Sequence, residues 1–210
     1  MGDVWSRHVV ARRVARSFRR SDSGHTYAPT VTTIVIPYRG DAKRRLPPEL
    51  RAAAAVAMLG DVVEAALPLG RVVVVTDDPI VVPPGARLLA DPGGGQGAAV
   101  EAGLAIATGG ALVVNADLPL ATTGALRRLE NAGLALVESG DGTTNALALP
   151  DPAVFAPLYG PDSAARFRAH APFASVAIAE LTEDVDSLAD LERLAPTAGP
   201  RTRALFALHT

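Results

Sequence analysis

Three short apolar runs, at 31–36, 71–76 and 111–114, constrain the fold of this chain more than any other feature of its sequence. Each is too short for a helix and rich in valine or isoleucine on consecutive positions, the pattern of a strand buried on both faces of a parallel sheet. Between them lie helical stretches: 49–66, with Leu50, Ala54, Ala57, Met58 and Val62 on one face, and 98–107. This alternation predicts a right-handed βαβ series. Further strands are expected at 86–90, 134–138, 145–149 and 176–180, with helices at 122–132, from Ser163 to His170, and at 188–194, the last opened by a capping box of Ser187 and Asp190. The predicted class is a single-domain, Rossmann-like α/β fold with a mixed, mostly parallel sheet, spanning 31–210.

Charge divides the chain unevenly. Residues 1–30 carry six arginines against Asp3 and Asp22, while the remaining residues have a net charge of -6. The first segment reads as a basic, mobile N-terminal tail, with Val9, Val10, Val14 and Phe18 as a weak helical stripe and 21–29 as a linker. The acidic body is not a general binder of nucleic acid. Without cysteine there is no disulfide framework, thiolate metal site or thiol nucleophile. No apolar run approaches the roughly 20 residues that span a bilayer, so a cytoplasmic protein without membrane contact is expected. No serine elbow is present, and the histidines do not cluster with an acid, which argues against a hydrolase triad.

Polar residues gather where the predicted strands end, and in an open α/β sheet that is where ligands bind. Asp117 is expected at the tip of the strand that starts at 111, with Pro119 ending the pairing, or else simply begins a turn. Together with Asp184 and Asp186 it forms a candidate magnesium trio, since that hard cation takes carboxylates and fills its remaining positions with water and phosphate oxygens; Asp184 and Asp186 can equally be a turn before the capped helix. Arg39, Lys43, Arg44 and Arg45 make a basic loop after the first strand, suited to a triphosphate although no Walker motif is present. Lys43 stands out as the single lysine among 19 arginines. Gly93-Gly94-Gly95-Gln96-Gly97 can bring backbone amides and the Gln96 amide to a nucleotide, or be a flexible surface loop. Thr143, Thr144, Gly160 and Ser163, with Arg166 and Arg168, can hold a small phosphorylated or carboxylated acid at a helix N-terminus, where Asp162 or Ser163 can also be an ordinary cap.

Lys43-Arg44-Arg45-Leu46, Asp117-Leu118-Pro119, Thr144-Asn145-Ala146-Leu147, Gly160-Pro161-Asp162-Ser163 and Asp184-Val185-Asp186, in this order, resemble the phosphoenolpyruvate or 2-phospho-L-lactate guanylyltransferases of coenzyme F-420 biosynthesis. The resemblance covers about 31–195. It implies a fold of the nucleotide-diphosphosugar-transferase type and transfer of GMP from GTP to the phosphorylated acid, with pyrophosphate released. It implies magnesium on Asp117, Asp184 and Asp186, the acid on Thr144, Gly160 and Ser163, and catalytic roles for Lys43, Arg45 and Asp117. The nucleotide would lie on Arg39, Lys43, Gly94, Gly95 and Gln96, and a downstream transferase that consumes the labile product is an expected partner. The chain departs from the family in a shorter basic loop, in Gln96-Gly97 where the family has Leu-Asn, and in Thr143 for a glycine. A molybdopterin or sugar-1-phosphate nucleotidyltransferase and a non-catalytic nucleotide-binding partner are the alternatives.

Overall fold

The computed structural model describes residues 32–40 and 45–207. The tail, its helical stripe and Lys43 lie outside the described residues. The chain runs through β1 (Thr32–Pro37), α1 (Pro48–Ala66), β2 (Gly70–Val75), β3 (Arg87–Leu89), α2 (Gln96–Leu104), β4 (Ala111–Val114), α3 (Thr123–Asn131), β5 (Ala135–Glu138) and β6 (Thr144–Leu149). It then forms α4 (Ser163–His170), β7 (Ala174–Ser175), α5 (Ala179–Thr182), α6 (Leu188–Leu194) and α7 (Pro200–Ala207).

The strands form one sheet of order β3-β2-β1-β4-β6-β5-β7. β1 pairs in parallel with β2 and β4, β2 with β3, and β5 with β7, whereas β6 is antiparallel to both β4 and β5. Among the described residues only β6 is reversed, so the expected mixed, mostly parallel sheet is present. Successive residues of the central strands feed opposite layers. Ile34, Ile36, Val72, Val74, Leu112 and Val114 pack toward α1 and α3, while Val35, Val73, Val75 and Val113 pack with α2 and with Phe167 of α4. A third cluster joins Leu46, Ala54 and Met58 to Val185, Leu191 and Leu194.

Three local expectations need correction. The strand expected at 176–180 does not form; the two-residue strand Ala174–Ser175 precedes it, with one further ladder bond from Val176 N–H to the Leu136 carbonyl (3.0 Å). Beyond it, buried Ile178 and Leu181 follow a helical rather than an alternating spacing, and the chain turns into α5. The helix expected from Ala98 begins at Gln96, because Gly95, at φ 94° and ψ -176°, turns the chain directly into it. β4 ends at Val114, so Asp117 sits in the turn beyond the strand rather than at its tip.

No element was expected at the C-terminal end, yet α7 is fastened there. Asp61, inside α1 and 3% exposed, accepts hydrogen bonds from the Arg201 and Thr202 amides (both 2.9 Å), capping α7 from another helix. Gly199 lies so close to Asp61 that a Cβ would collide with its carboxyl group. The Gly199 amide in turn donates to the Pro119 carbonyl (2.8 Å), two residues from Asp117. Asp61→Ala leaves both amides without their charged acceptor and is expected to cost about 2–4 kcal/mol of stability, read from urea unfolding; a loss below about 0.5 kcal/mol would refute the capping role.

Candidate active site

The carboxyl ends of β1, β2, β3 and β4 face one edge of the sheet, and reversed β6 begins at that same edge. A cavity of about 160 Å³ opens there, lined among others by Tyr38, Arg39, Asp91, Gln96, Asn115 and Asp117. Asp91 organises its outer wall. The carboxylate accepts the Gly93 amide (2.8 Å) and the Arg39 guanidinium (3.2 Å), tying the glycine loop to the end of β1. Gly93, Gly94 and Gly95 all have positive φ (78°, 82° and 94°), and Gly95 adopts a conformation almost confined to glycine. Tyr38 is 5% exposed; its burial, followed by the charge of Asp78, raises its phenol above the ordinary range, so it remains a neutral hydroxyl.

At the mouth of the cavity, Asp117 meets Asp184 and Asp186, and one carboxylate oxygen from each lies within 4.8 Å of the others. The backbone closes this approach: Val185 N–H donates to the Asp117 carbonyl (3.2 Å), and the Val185 side chain, fully buried in the third cluster, anchors the acids on either side of it. The capping box belongs to Ser187 and Asp190, so neither Asp184 nor Asp186 is the cap of α6. The Ser187 hydroxyl is the main influence lowering the Asp190 carboxyl pKa. Three half-buried carboxylates so close together repel one another, and a divalent cation offsets that repulsion; an all-oxygen donor set suits a hard ion.

On the other side, Thr144 opens β6 and Ser163 opens α4. Both are buried, and the Ser163 hydroxyl donates to Thr144 Oγ1 (3.0 Å). Ser163 is therefore not a helix cap, and Asp162, at φ 55°, makes no side-chain cap bond either. The chain turns through Gly160 (φ 113°), whose carbonyl accepts the Ser163 amide (3.1 Å), while the Gly142 carbonyl accepts the Ala164 amide (3.3 Å). The first amides of α4 are thus already used by the protein, which reduces the helix terminus expected to face an anion. Arg166 donates to the Tyr159 carbonyl and Arg168 pairs with Glu138, so both arginines also have protein partners.

The structure brings Arg39, Gln96 and Asp117 to one cavity, gathers Asp117, Asp184 and Asp186, and joins Thr144 to Ser163 with Gly160 in the preceding turn. Gly94 and Gly95 form the loop before α2. Arg45 is exposed beside buried Leu46. Asn115, Asn145, Tyr38 and Asp91 also belong to this region. Asn145, 1% exposed, donates to the Leu181 and Thr182 carbonyls (3.1 and 3.0 Å), holding the segment that leads to Asp184. Its place in the Thr-Asn-Ala-Leu motif was the available signal. For Asn115 the signal was an amide immediately beyond a buried strand.

Comparison with known proteins agrees with this geometry. Residues 49–182 match the family described as the MobA-like NTP transferase domain. The chain is 35% identical over 188 aligned residues to a phosphoenolpyruvate guanylyltransferase of Nocardia farcinica, covering 77% of this chain and 82% of that protein. Two solved structures share the fold. One, described as a nucleotide-diphospho-sugar transferase of Desulfovibrio desulfuricans, has a TM-score of 0.61 at 16% identity, over 85% of this chain and 94% of the other. The other, the 2-C-methyl-D-erythritol 4-phosphate cytidylyltransferase of Thermus thermophilus, has a TM-score of 0.55 at 18% identity, over 83% and 98%.

The turn before β6 has a pH dependence that can be assigned a sign. Asp141 accepts from the hydroxyls of Ser139 and Thr143 and from the Thr143 amide, and these bonds, the Ser139 hydroxyl foremost, hold its pKa below the ordinary 3.8. A lowered folded-state pKa means that the turn is stabilised above the unfolded value and loses that contribution as pH falls through the folded one. Carboxyl-carbon NMR titration should place the Asp141 midpoint below 3.8; a midpoint at or above that value would remove this role.

Proposed function

The chain belongs to the MobA-like NTP transferase family, and from that premise we propose that it transfers GMP from GTP to phosphoenolpyruvate or 2-phospho-L-lactate, a step in coenzyme F-420 biosynthesis. The observation that carries this reading is the Asp117, Asp184 and Asp186 trio, whose Asp117 lines the same cavity as Arg39 and Gln96, at the sheet edge where β6 begins with Thr144, the buried partner of Ser163. Phosphoenolpyruvate is the first choice of acid. The alanine- and arginine-rich composition suggests a high-GC bacterium, and the relative from Nocardia farcinica carries that substrate in its name.

In this reaction a phosphate oxygen of the acid attacks the α-phosphorus of GTP, a new P–O bond forms, and the bond to the β-phosphate oxygen breaks to release pyrophosphate. The attacking oxygen is already anionic, so no residue has to remove a proton. What the chain must supply is position and neutralisation of charge. Asp117, Asp184 and Asp186 would hold magnesium, which supplies positive charge against the phosphates. Arg39, Lys43 and Arg45 add positive charge from the basic loop. Gly94 and Gly95 let the backbone approach the nucleotide closely, and Gln96 offers it an amide. The Ser163 hydroxyl hydrogen is committed to Thr144, so of the two hydroxyls it is that of Thr144 whose hydrogen is available to the acid, and Gly160 shapes the turn that brings Ser163 there. A cytoplasmic location and delivery of the labile product to a downstream transferase belong to this reading.

The direct assay is pyrophosphate release with GTP and magnesium, using each acid separately and ATP as the nucleotide control. Release with GTP and one acid is expected; silence with both acids would overturn the reading. Asp117→Asn should lower kcat by about 100-fold or more with the fold intact by circular dichroism, and near-normal turnover would remove Asp117 from the metal site. Ser163→Ala takes from the Thr144 hydroxyl the partner that orients it and should raise the KM for the acid by about two- to tenfold, with a smaller change for GTP. Equal changes in both would place Ser163 outside the acid pocket.

A further inference from the structure

The two sides of the site are joined by one side chain. Asn115 is the first residue beyond β4, and its amide donates to the Asn145 carbonyl (3.0 Å), so the start of β6 fixes its backbone. Its side-chain Nδ2 donates to the Thr144 carbonyl (3.2 Å), and its Oδ1 accepts from Gln96 Nε2 (2.8 Å). A carbonyl oxygen can only accept, so Nδ2 must face Thr144 and Oδ1 must face the other way. Gln96 is then obliged to turn its own nitrogen toward Asn115. The sense of the Gln96 amide in the cavity is set, through Asn115, by the backbone of the residue whose hydroxyl lies with Ser163.

We infer that Asn115 is a positioning residue that couples the two substrates: an acid held at Thr144 stabilises the orientation of Gln96, and a nucleotide held at Gln96 stabilises that of Thr144. This inference rests on the guanylyltransferase reading, which puts Gln96 on the nucleotide side and Thr144 on the acid side. Coupling between binding sites is reciprocal. The worth of one net hydrogen bond implies a factor of about two- to tenfold in affinity.

The test is calorimetric titration of the full chain with guanosine 5′-(α,β-methylene)triphosphate and magnesium, whose methylene bridge replaces the bond that breaks. Titrations are run alone and with saturating phosphoenolpyruvate or 2-phospho-L-lactate, for wild type, Asn115→Leu, Gln96→Leu and the double variant. In wild type, the acid should tighten nucleotide binding by about two- to tenfold. The factor should fall to one in either single variant, and the double variant should show no further loss of coupling, as for residues acting through one contact. Gln96→Leu, at the partly exposed start of α2, carries the same test if Asn115→Leu does not fold. Full coupling in the variants, or none in wild type, overturns the role of Asn115 and leaves the guanylyltransferase reading standing. A wild-type chain that turns over neither acid and binds neither overturns both.

Discussion

The site depends on the direction of one strand. If β6 ran with its neighbours, its first residue would lie at the far edge of the sheet, away from the turn that follows β4. Reversed, it brings Thr144 beside Asn115 and within the same edge as Asp117, and the Asn115 to Asn145 backbone bond fixes the register. The parallel half of the sheet provides the cavity and the antiparallel insertion provides the hydroxyl pair. The three acids collect at the seam between them.

The seam has its own small core. Leu46 ends the basic loop, Met58 belongs to α1 and lines the cavity, Val185 separates two acids, and Leu191 and Leu194 belong to α6; these side chains pack as one cluster apart from the two main layers. Polar groups that must stand close together at a sheet edge are held there by apolar neighbours in sequence. Val185 is the clearest case, since burying it leaves Asp184 and Asp186 half-exposed on either side. The loop with the cations and the segment with the acids therefore share a foundation, although they are about 140 residues apart in sequence.

Much of this was legible in advance where a short-range rule applied. Consecutive valines at 72–75 and 113–114 revealed strands covered on both faces, and Ser187 with Asp190 revealed a cap. The acids at 117, 184 and 186 were legible as types, and the resemblance joined them before any distance was known. What escaped depended on partners far along the chain. Asp61 reads as one acid in an alanine-rich helix until α7 is placed against it, 140 residues later. Ser163 has the position of a cap and becomes a buried partner of Thr144 only because β6 and α4 converge. The apolar pattern of 176–180 suits a strand, yet the ladder stops at Val176 while β5 runs on to Glu138, because the chain turns there into α5 and buries Ile178 with Leu181 one helical turn apart.

The fastening of α7 also bears on how the chain matures. Domains generally acquire structure as units during synthesis, from the amino-terminal end onward. Here the turn carrying Asp117 receives one of its backbone bonds from Gly199, and the charge buried at Asp61 receives its amides from Arg201 and Thr202. These donors leave the ribosome about 80 residues after the turn they brace and 140 after Asp61. Until then the nascent chain has its sheet but not the brace behind its acidic turn, so a product terminated before Gly199 would have most of the fold and an unfinished site.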